Sequence, residues 1–206
     1  MCPYVPRGAI HTGDAMTRLL NASDIQRMVT RLAHEVVEAA GADDLVLVGI
    51  QTRGVPLAKR LKTVIDRIED TDVPCGALDV TLFRDDLRQG APRPLGRTDV
   101  PVSIDGKTVV LVDDVLFTGR TIRAALDALL ELGRPAAIRL VVMVDRGHRE
   151  LPIRADHVGK NIPTSVAQRV SVHVAELDGE DAVDIDTPDG RGVGDEPQSS
   201  PTGDDV

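Results

Sequence analysis

The chain has 206 residues, 42% of them hydrophobic, with three aromatic side chains (Tyr4, Phe83 and Phe117) and a formal charge of −9. That length carries one domain with a sizeable aliphatic core and excludes an aromatic platform for gripping single strands, while two cysteines, Cys2 and Cys75, exclude a disulfide framework and no Cys/His cluster has zinc spacing. No apolar run approaches a membrane span and no signal-peptide core opens the chain, so a reducing cytoplasm is the expected setting.

The charge is concentrated at one end. Residues 178–206 hold ten acids and one base, Arg191, so the whole of the −9 lies there and residues 1–177 are neutral. Acidity therefore does not argue against a polyanionic partner for the body. Residues 1–16, with Pro, Gly and Thr and no periodicity, read as a disordered extension. Residues 17–177 read as the folded domain, and 178–206, rich in Asp, Gly, Pro and Ser, as an acidic disordered tail.

Within the body, Ser23-Asp-Ile-Gln26 matches a capping box. Ile25, Met28, Val29, Leu32, Val36 and Val37 then recur at helical spacing as far as Gly41. Leu45–Ile50 is an unbroken apolar run, the pattern of a strand buried on both faces of a parallel sheet. It ends in Gln51-Thr52-Arg53-Gly54, and Val55-Pro56 opens a helix with proline in its first turn, striped by Leu57, Leu61, Val64, Ile65 and Ile68. Thr52, Arg53 and Gly54 make a tight polar turn, and Arg53 is a candidate to face a phosphate; the plainer reading is an arginine snorkelling at a helix start. Gly76–Leu82 is a third strand. From Phe83 to about Ile104 the pattern collapses into a loop bearing Arg84, Arg88, Arg93 and Arg97. Loops of that length are lids, binding loops or disordered, and an arginine-bearing flap suits a reaction that covers a pyrophosphate.

The most informative stretch is Val109-Val-Leu-Val-Asp-Asp-Val-Leu-Phe-Thr-Gly-Arg-Thr121. A buried strand (Lys107–Asp113) runs into paired carboxylates, Asp113 and Asp114, and Thr118-Gly119-Arg120-Thr121 opens a helix with Ile122, Ala125, Leu126, Leu129 and Leu130 inward. In parallel sheets ligands bind beyond the carboxyl ends of the strands. A small-residue turn at a helix N-terminus suits a phosphate. The carboxylates would repel that phosphate but fit ribose hydroxyls or a divalent ion. Together they describe a site for a phosphorylated ribose. Ile138–Val144 is a further buried strand ending at Asp145-Arg146-Gly147-His148-Arg149; residues 154–164 read as a polar loop, and Ser171–Ala175 as a last, half-exposed strand. Strands alternating with helices make this an α/β chain with a parallel sheet.

Residues 109–121 resemble the phosphoribosyl-pyrophosphate (PRPP) motif of type I phosphoribosyltransferases. Gly49-Ile-Gln-Thr-Arg-Gly54, Asp79-Val-Thr-Leu-Phe-Arg-Asp-Asp86, Val144-Asp-Arg-Gly-His-Arg-Glu-Leu-Pro-Ile-Arg154 and Val158-Gly-Lys-Asn-Ile-Pro-Thr-Ser165 extend the likeness to the PyrR family, which combines uracil phosphoribosyltransferase activity with regulation of pyrimidine operons. The resemblance covers about 17–177. It implies the type I phosphoribosyltransferase fold, with helices on both faces of the sheet, a flexible lid and a small hood. It also implies a reaction of PRPP and uracil giving UMP and pyrophosphate, with Mg²⁺ carried by the pyrophosphate and no dedicated protein ligands. By the same likeness, Thr52, Arg53 and Gly54, with Asp113, Asp114, Val115, Leu116, Phe117, Thr118, Gly119, Arg120 and Thr121, bind PRPP. Asp113, Asp114 and Arg53 carry catalysis, and Arg84, Asp85 and Asp86 belong to the lid. Asp145, Arg146, Val158, Lys160 and Thr164 frame the base. Phe83 and Phe117 stand where the family commonly has Tyr.

The family's second activity is binding the leader of pyrimidine-biosynthesis mRNA under the control of UMP and UTP. Arginines, Lys160 and two histidines between residues 134 and 169 outnumber the acids there, the footprint of a nucleic-acid site. Thr30, Arg31, His34, His148, Arg149, Arg154 and Lys160 are the expected RNA contacts. A hydrated basic surface is the alternative for them. A regulator with vestigial activity and a transferase for another base are the alternatives for the whole. A homodimer or higher homo-oligomer is implied by the resemblance alone.

Overall fold

The computed structural model describes residues 15–84 and 96–187. In chain order the elements are β1 (Ala15–Leu20), α1 (Ala22–Ala40), β2 (Leu45–Ile50), α2 (Gly54–Glu69), β3 (Cys75–Leu78), β4 (Thr108–Leu116), α3 (Arg120–Leu132), β5 (Ala137–Asp145), β6 (His157–Asn161), β7 (Arg169–His173), α4 (Ala175–Asp178) and β8 (Ala182–Thr187). Five strands form a parallel sheet in the order β3-β2-β4-β5-β6, and three form an antiparallel sheet in the order β1-β8-β7.

Alternation along the central strands divides the core into two layers. Val109 and Leu111 of β4 pack with Val46, Val48, Val142 and the α3 residues Ile122, Ala125 and Leu129. Val110 and Val112 pack on the other face with Leu45, Leu47, Val141, Met143 and the apolar stripes of α1 and α2. Each such aliphatic, fully buried, contributes about 1.5–3 kcal/mol relative to exposure. The layers explain why these strands read as continuous apolar runs: both faces are covered.

Several boundaries differ from the sequence reading. The α1 cap is Asn21, not Ser23: Asn21 Oδ1 accepts the Ser23 and Asp24 N–H groups at 2.9 and 3.2 Å, and Asp24 accepts the Asn21 N–H at 3.0 Å. β3 stops at Leu78 because Asp79 Oδ1 accepts both the N–H and the hydroxyl of Thr81, curling residues 81–83 into a short 3₁₀ turn and leaving Leu82 exposed. β4 runs on to Leu116 alongside the equally long β5, so Asp113 and Asp114 lie within the strand rather than past its end. Ile68 and Leu130, expected on apolar stripes, are exposed.

Residues 157–161, expected in a polar loop, form the fifth strand of the main sheet. The largest correction is at the ends. Residues 15 and 16 begin β1, and residues 178–187 are folded: Ala182–Thr187 pairs with both β1 and β7. Val183 and Ile185 enter the core beneath the small sheet while Asp184 between them pairs with Arg18 at 3.1 Å. The rest of the expected extension and tail lies outside the described residues, as does the lid segment with Asp85 and Asp86.

Candidate active site

Two strand-to-helix turns lie side by side. The first, Gln51 to Gly54, leaves β2 and enters α2, and its Gln51–Thr52 peptide is cis. Gly54 packs so closely on β4 that a Cβ there would collide with the Val112 carbonyl oxygen. That close approach sets the first turn against Val112 and Asp113. The second, Phe117 to Thr121, leaves β4 and enters α3. Gly119, at φ +93°, is the N-cap and offers no side-chain acceptor to the first-turn N–H groups. A cavity of about 330 Å³ opens there, lined by Arg84, residues 115–122 and Glu150. An uncapped helix start facing a cavity is suited to an anion.

The acidic pair is asymmetric. Asp113 is buried, and its Oδ1 accepts the Asp114 N–H at 3.0 Å. Burial, with the neighbouring Asp114 charge second, pushes the Asp113 carboxyl well above the ordinary carboxylate range. Asp114 is only half-buried, with Oδ1 accepting the Val115 N–H at 2.9 Å. The structure therefore presents one carboxylate outward and keeps the other behind it. Arg53 is half-exposed and forms a two-pronged ion pair with Asp178, Nη2 to Oδ1 at 2.8 Å and Nε to Oδ2 at 3.1 Å. That pairing raises the Arg53 pKa, with a smaller contribution in the same direction from the Asp114 charge.

The turn after β5 is stitched to the turn between β4 and α3. The Glu150 and Leu151 N–H groups both donate to Thr118 O, at 3.0 and 3.2 Å, and Glu150 pairs with Arg120 at 2.7 Å. Arg149 donates to Phe117 O at 2.8 Å, to Ile153 O and Gly147 O, and pairs with Asp145. Arg146 is buried without an acid: it donates to Thr164 Oγ1 and to the Ser165 and Gln168 carbonyls, and lies 4.1 Å from the centre of the Phe117 ring. Burial lowers its pKa from the ordinary arginine value. His148, at φ +57°, meets the Phe117 ring edge-on and places Nε2 2.6 Å from Thr164 O.

Asp145, Arg146 and Thr164 are thus brought together beside Phe117. Val158 instead packs against the α3-side core, and Lys160 is exposed on β6. On the opposite side Arg31 reaches from α1 to the Val158 and Gly159 carbonyls at 3.1 and 2.6 Å, whereas Thr30 lines the groove between α1 and α2, and Lys160, two positions after Val158 on β6, shares that residue's face of the sheet, away from α1. Arg154 is exposed, whereas Arg149 is turned inward. Asp178 and Glu150 escaped the sequence reading; the first lay in the acidic tail, and nothing in spacing marked the second. Among the described residues no group of three or more His, Cys, Asp or Glu could hold a metal ion, and no helix is long and apolar enough to cross a membrane.

Residues 15–176 match the phosphoribosyl transferase domain. The bifunctional protein PyrR of Streptomyces coelicolor is 61% identical over 167 residues, covering 80% of this chain and 86% of that protein. That of Chloroflexus aurantiacus is 59% identical over 170 residues, covering 82% and 93%. Among solved structures, a hypoxanthine phosphoribosyltransferase from Staphylococcus aureus superposes with a TM-score of 0.65 over 89% of this chain and 97% of that one, at 23% identity, a likeness of fold.

Proposed function

Because the chain belongs to the bifunctional PyrR family of phosphoribosyltransferases, we propose that it makes UMP and pyrophosphate from uracil and PRPP and also regulates pyrimidine genes by binding their leader mRNA. The observation that carries the enzymatic reading is the uncapped α3 N-terminus over a cavity beside Asp114. Residues Thr118–Thr121 hold the 5-phosphate with backbone N–H groups. Asp114 takes ribose hydroxyls with Asp113 behind it, and Arg53 faces the pyrophosphate. A ring nitrogen of uracil then bonds to the anomeric carbon and gives up its proton as the bond to the pyrophosphate oxygen breaks, and the proton leaves to the pyrophosphate or to water.

The transition state has oxocarbenium character, so the protein works by alignment and electrostatics, with no covalent nucleophile. Mg²⁺ would arrive with the substrate phosphates and neutralise the leaving pyrophosphate, and Asp114 is the outward carboxylate that could meet it. Arg146, Asp145 and Thr164 beside Phe117 frame the base. Incubation with PRPP, Mg²⁺ and each of uracil, orotate, hypoxanthine and adenine tests this: uracil should release pyrophosphate fastest, and preferred turnover of hypoxanthine would overturn the base assignment.

For RNA, the exposed α1 residues Thr30, Arg31 and His34 supply one contact surface, with Arg31 anchored on the β6 carbonyls, and the exposed Arg154 and Lys160 supply further contacts. Recognition runs through phosphates and hydrogen bonds, since stacking side chains are scarce. Leader transcript should bind more tightly with UMP present, and absence of binding at low salt would leave the enzyme alone. A homodimer or higher oligomer in the cytoplasm is the expected working form, checked by light scattering.

A further inference from the structure

We propose that Asp178 is a positioning residue for the transferase reaction: it holds the Arg53 guanidinium in the orientation that meets pyrophosphate. This rests on the reading of the Gln51–Gly54 turn as the pyrophosphate turn. Arg53 is a long side chain at a helix start with no cap of its own. Left free, it would have to be immobilised when substrate binds. Asp178 removes that freedom by taking Nη2 and Nε together, and the paired geometry leaves Nη1 as the edge available to an incoming anion.

Asp178 is itself held. Its Oδ2 also accepts the Val174 N–H at 2.9 Å, so the carboxylate is fixed at the end of the short helix between β7 and β8. Seven residues beyond Arg53 on the same face of α2, Arg60 binds Glu176 at 2.5 and 2.8 Å and Asp181 at 2.8 and 3.0 Å. That second clamp fixes the distance between α2 and α4 and makes Asp178 a rigid abutment. A carboxylate merely occupying an anion site would not need these anchors. The Asp178 carboxyl is held below its usual range, chiefly by Arg53, so it stays charged and oriented near neutral pH.

The test is Asp178→Asn in the full chain, which keeps the shape and removes the charge, with Glu176→Gln as the control that weakens only the second clamp. The D178N variant should raise the KM for PRPP and the Kd for Mg²⁺-pyrophosphate roughly three- to tenfold, the cost of ordering one long side chain at binding. The KM for uracil and the melting temperature should change little, and E176Q, which leaves Arg60 paired with Asp181, should raise the PRPP and pyrophosphate constants by clearly less than D178N does. Unchanged or tightened pyrophosphate binding in D178N overturns the proposal, and so does an equal loss in both variants accompanied by a fall in melting temperature. Pyrophosphate calorimetry needs no base: a wild-type protein that ignores uracil would sink the functional reading, while the D178N comparison would still decide this one.

Discussion

Asp113 and Asp114 are adjacent and chemically identical in the sequence, yet their surroundings separate them. On the proposed reading Asp114 turns its carboxylate to the ribose, so Asp114→Asn should lower kcat/KM by about a hundredfold or more, as loss of an oriented transition-state contact does. Asp113→Asn resembles the neutral form that burial favours, and its effect on turnover should be smaller; parallel steady-state assays of the two variants decide this. The same burial has a stability consequence. The folded pKa of Asp113 is raised, so between the unfolded value of about 3.9 and the folded value the native state binds more protons. Stability from this group therefore falls as pH rises through that window and is flat above it. Asp113→Asn removes the slope, so the variant's melting temperature should gain on wild type as pH increases from about 4.

Helices and strands whose apolar positions are covered by the core were legible from periodicity alone: β2, β5 and the bodies of α1, α2 and α3 are where the pattern put them. Ends were less legible, because a cap is decided by which of several adjacent polar residues turns back. Asn21 and Ser23 both suit the start of α1. Asn21→Ala should cost roughly 1 kcal/mol in chemical denaturation and Ser23→Ala much less, the reverse of what the Ser23-to-Gln26 pattern implies. β8 was missed for another reason. Ala182-Val-Asp-Ile-Asp-Thr187 alternates as a strand should, but its acids match the composition of the residues after it. Asp184 is buried in the fold because Arg18 and His173 reach it, partners 166 and 11 positions away that composition cannot reveal. At the proposed site, the acidic pair and the turn after it could be read together because one continuous stretch holds them. The Arg53–Asp178 pair was not, since it joins segments 125 residues apart.

At the scale of the molecule, the small sheet and α4 are fastened to the α/β body by arginines on acids: Arg53 on Asp178, Arg60 on Glu176 and Asp181, with Arg18 on Glu180 and Asp184 within the sheet. The carboxyls of Glu176, Asp178, Glu180 and Asp181 all titrate below their usual range, with the arginines among the causes. Their contribution is present above the unfolded carboxylate range and is lost as pH falls through the depressed values. Acidification below about pH 4 should therefore loosen β1, β7 and β8 before the five-strand sheet, read as earlier hydrogen exchange at their amides. Deleting residues 178–206 takes away β8 and every one of these pairs except Arg60–Glu176, and should lower the melting temperature and weaken PRPP binding together.

The pairing of β1 with β8 also orders events during synthesis. Nearly the whole polypeptide must leave the ribosome before the first strand meets its partner, since Arg18 waits for Asp184, 166 positions downstream. The central sheet, built from β2 to β6, can assemble earlier. A nascent protein would thus own the turn proposed for the ribose phosphate well before it owns a fixed Arg53, and on that reading competence for substrate would arrive with the closing strand.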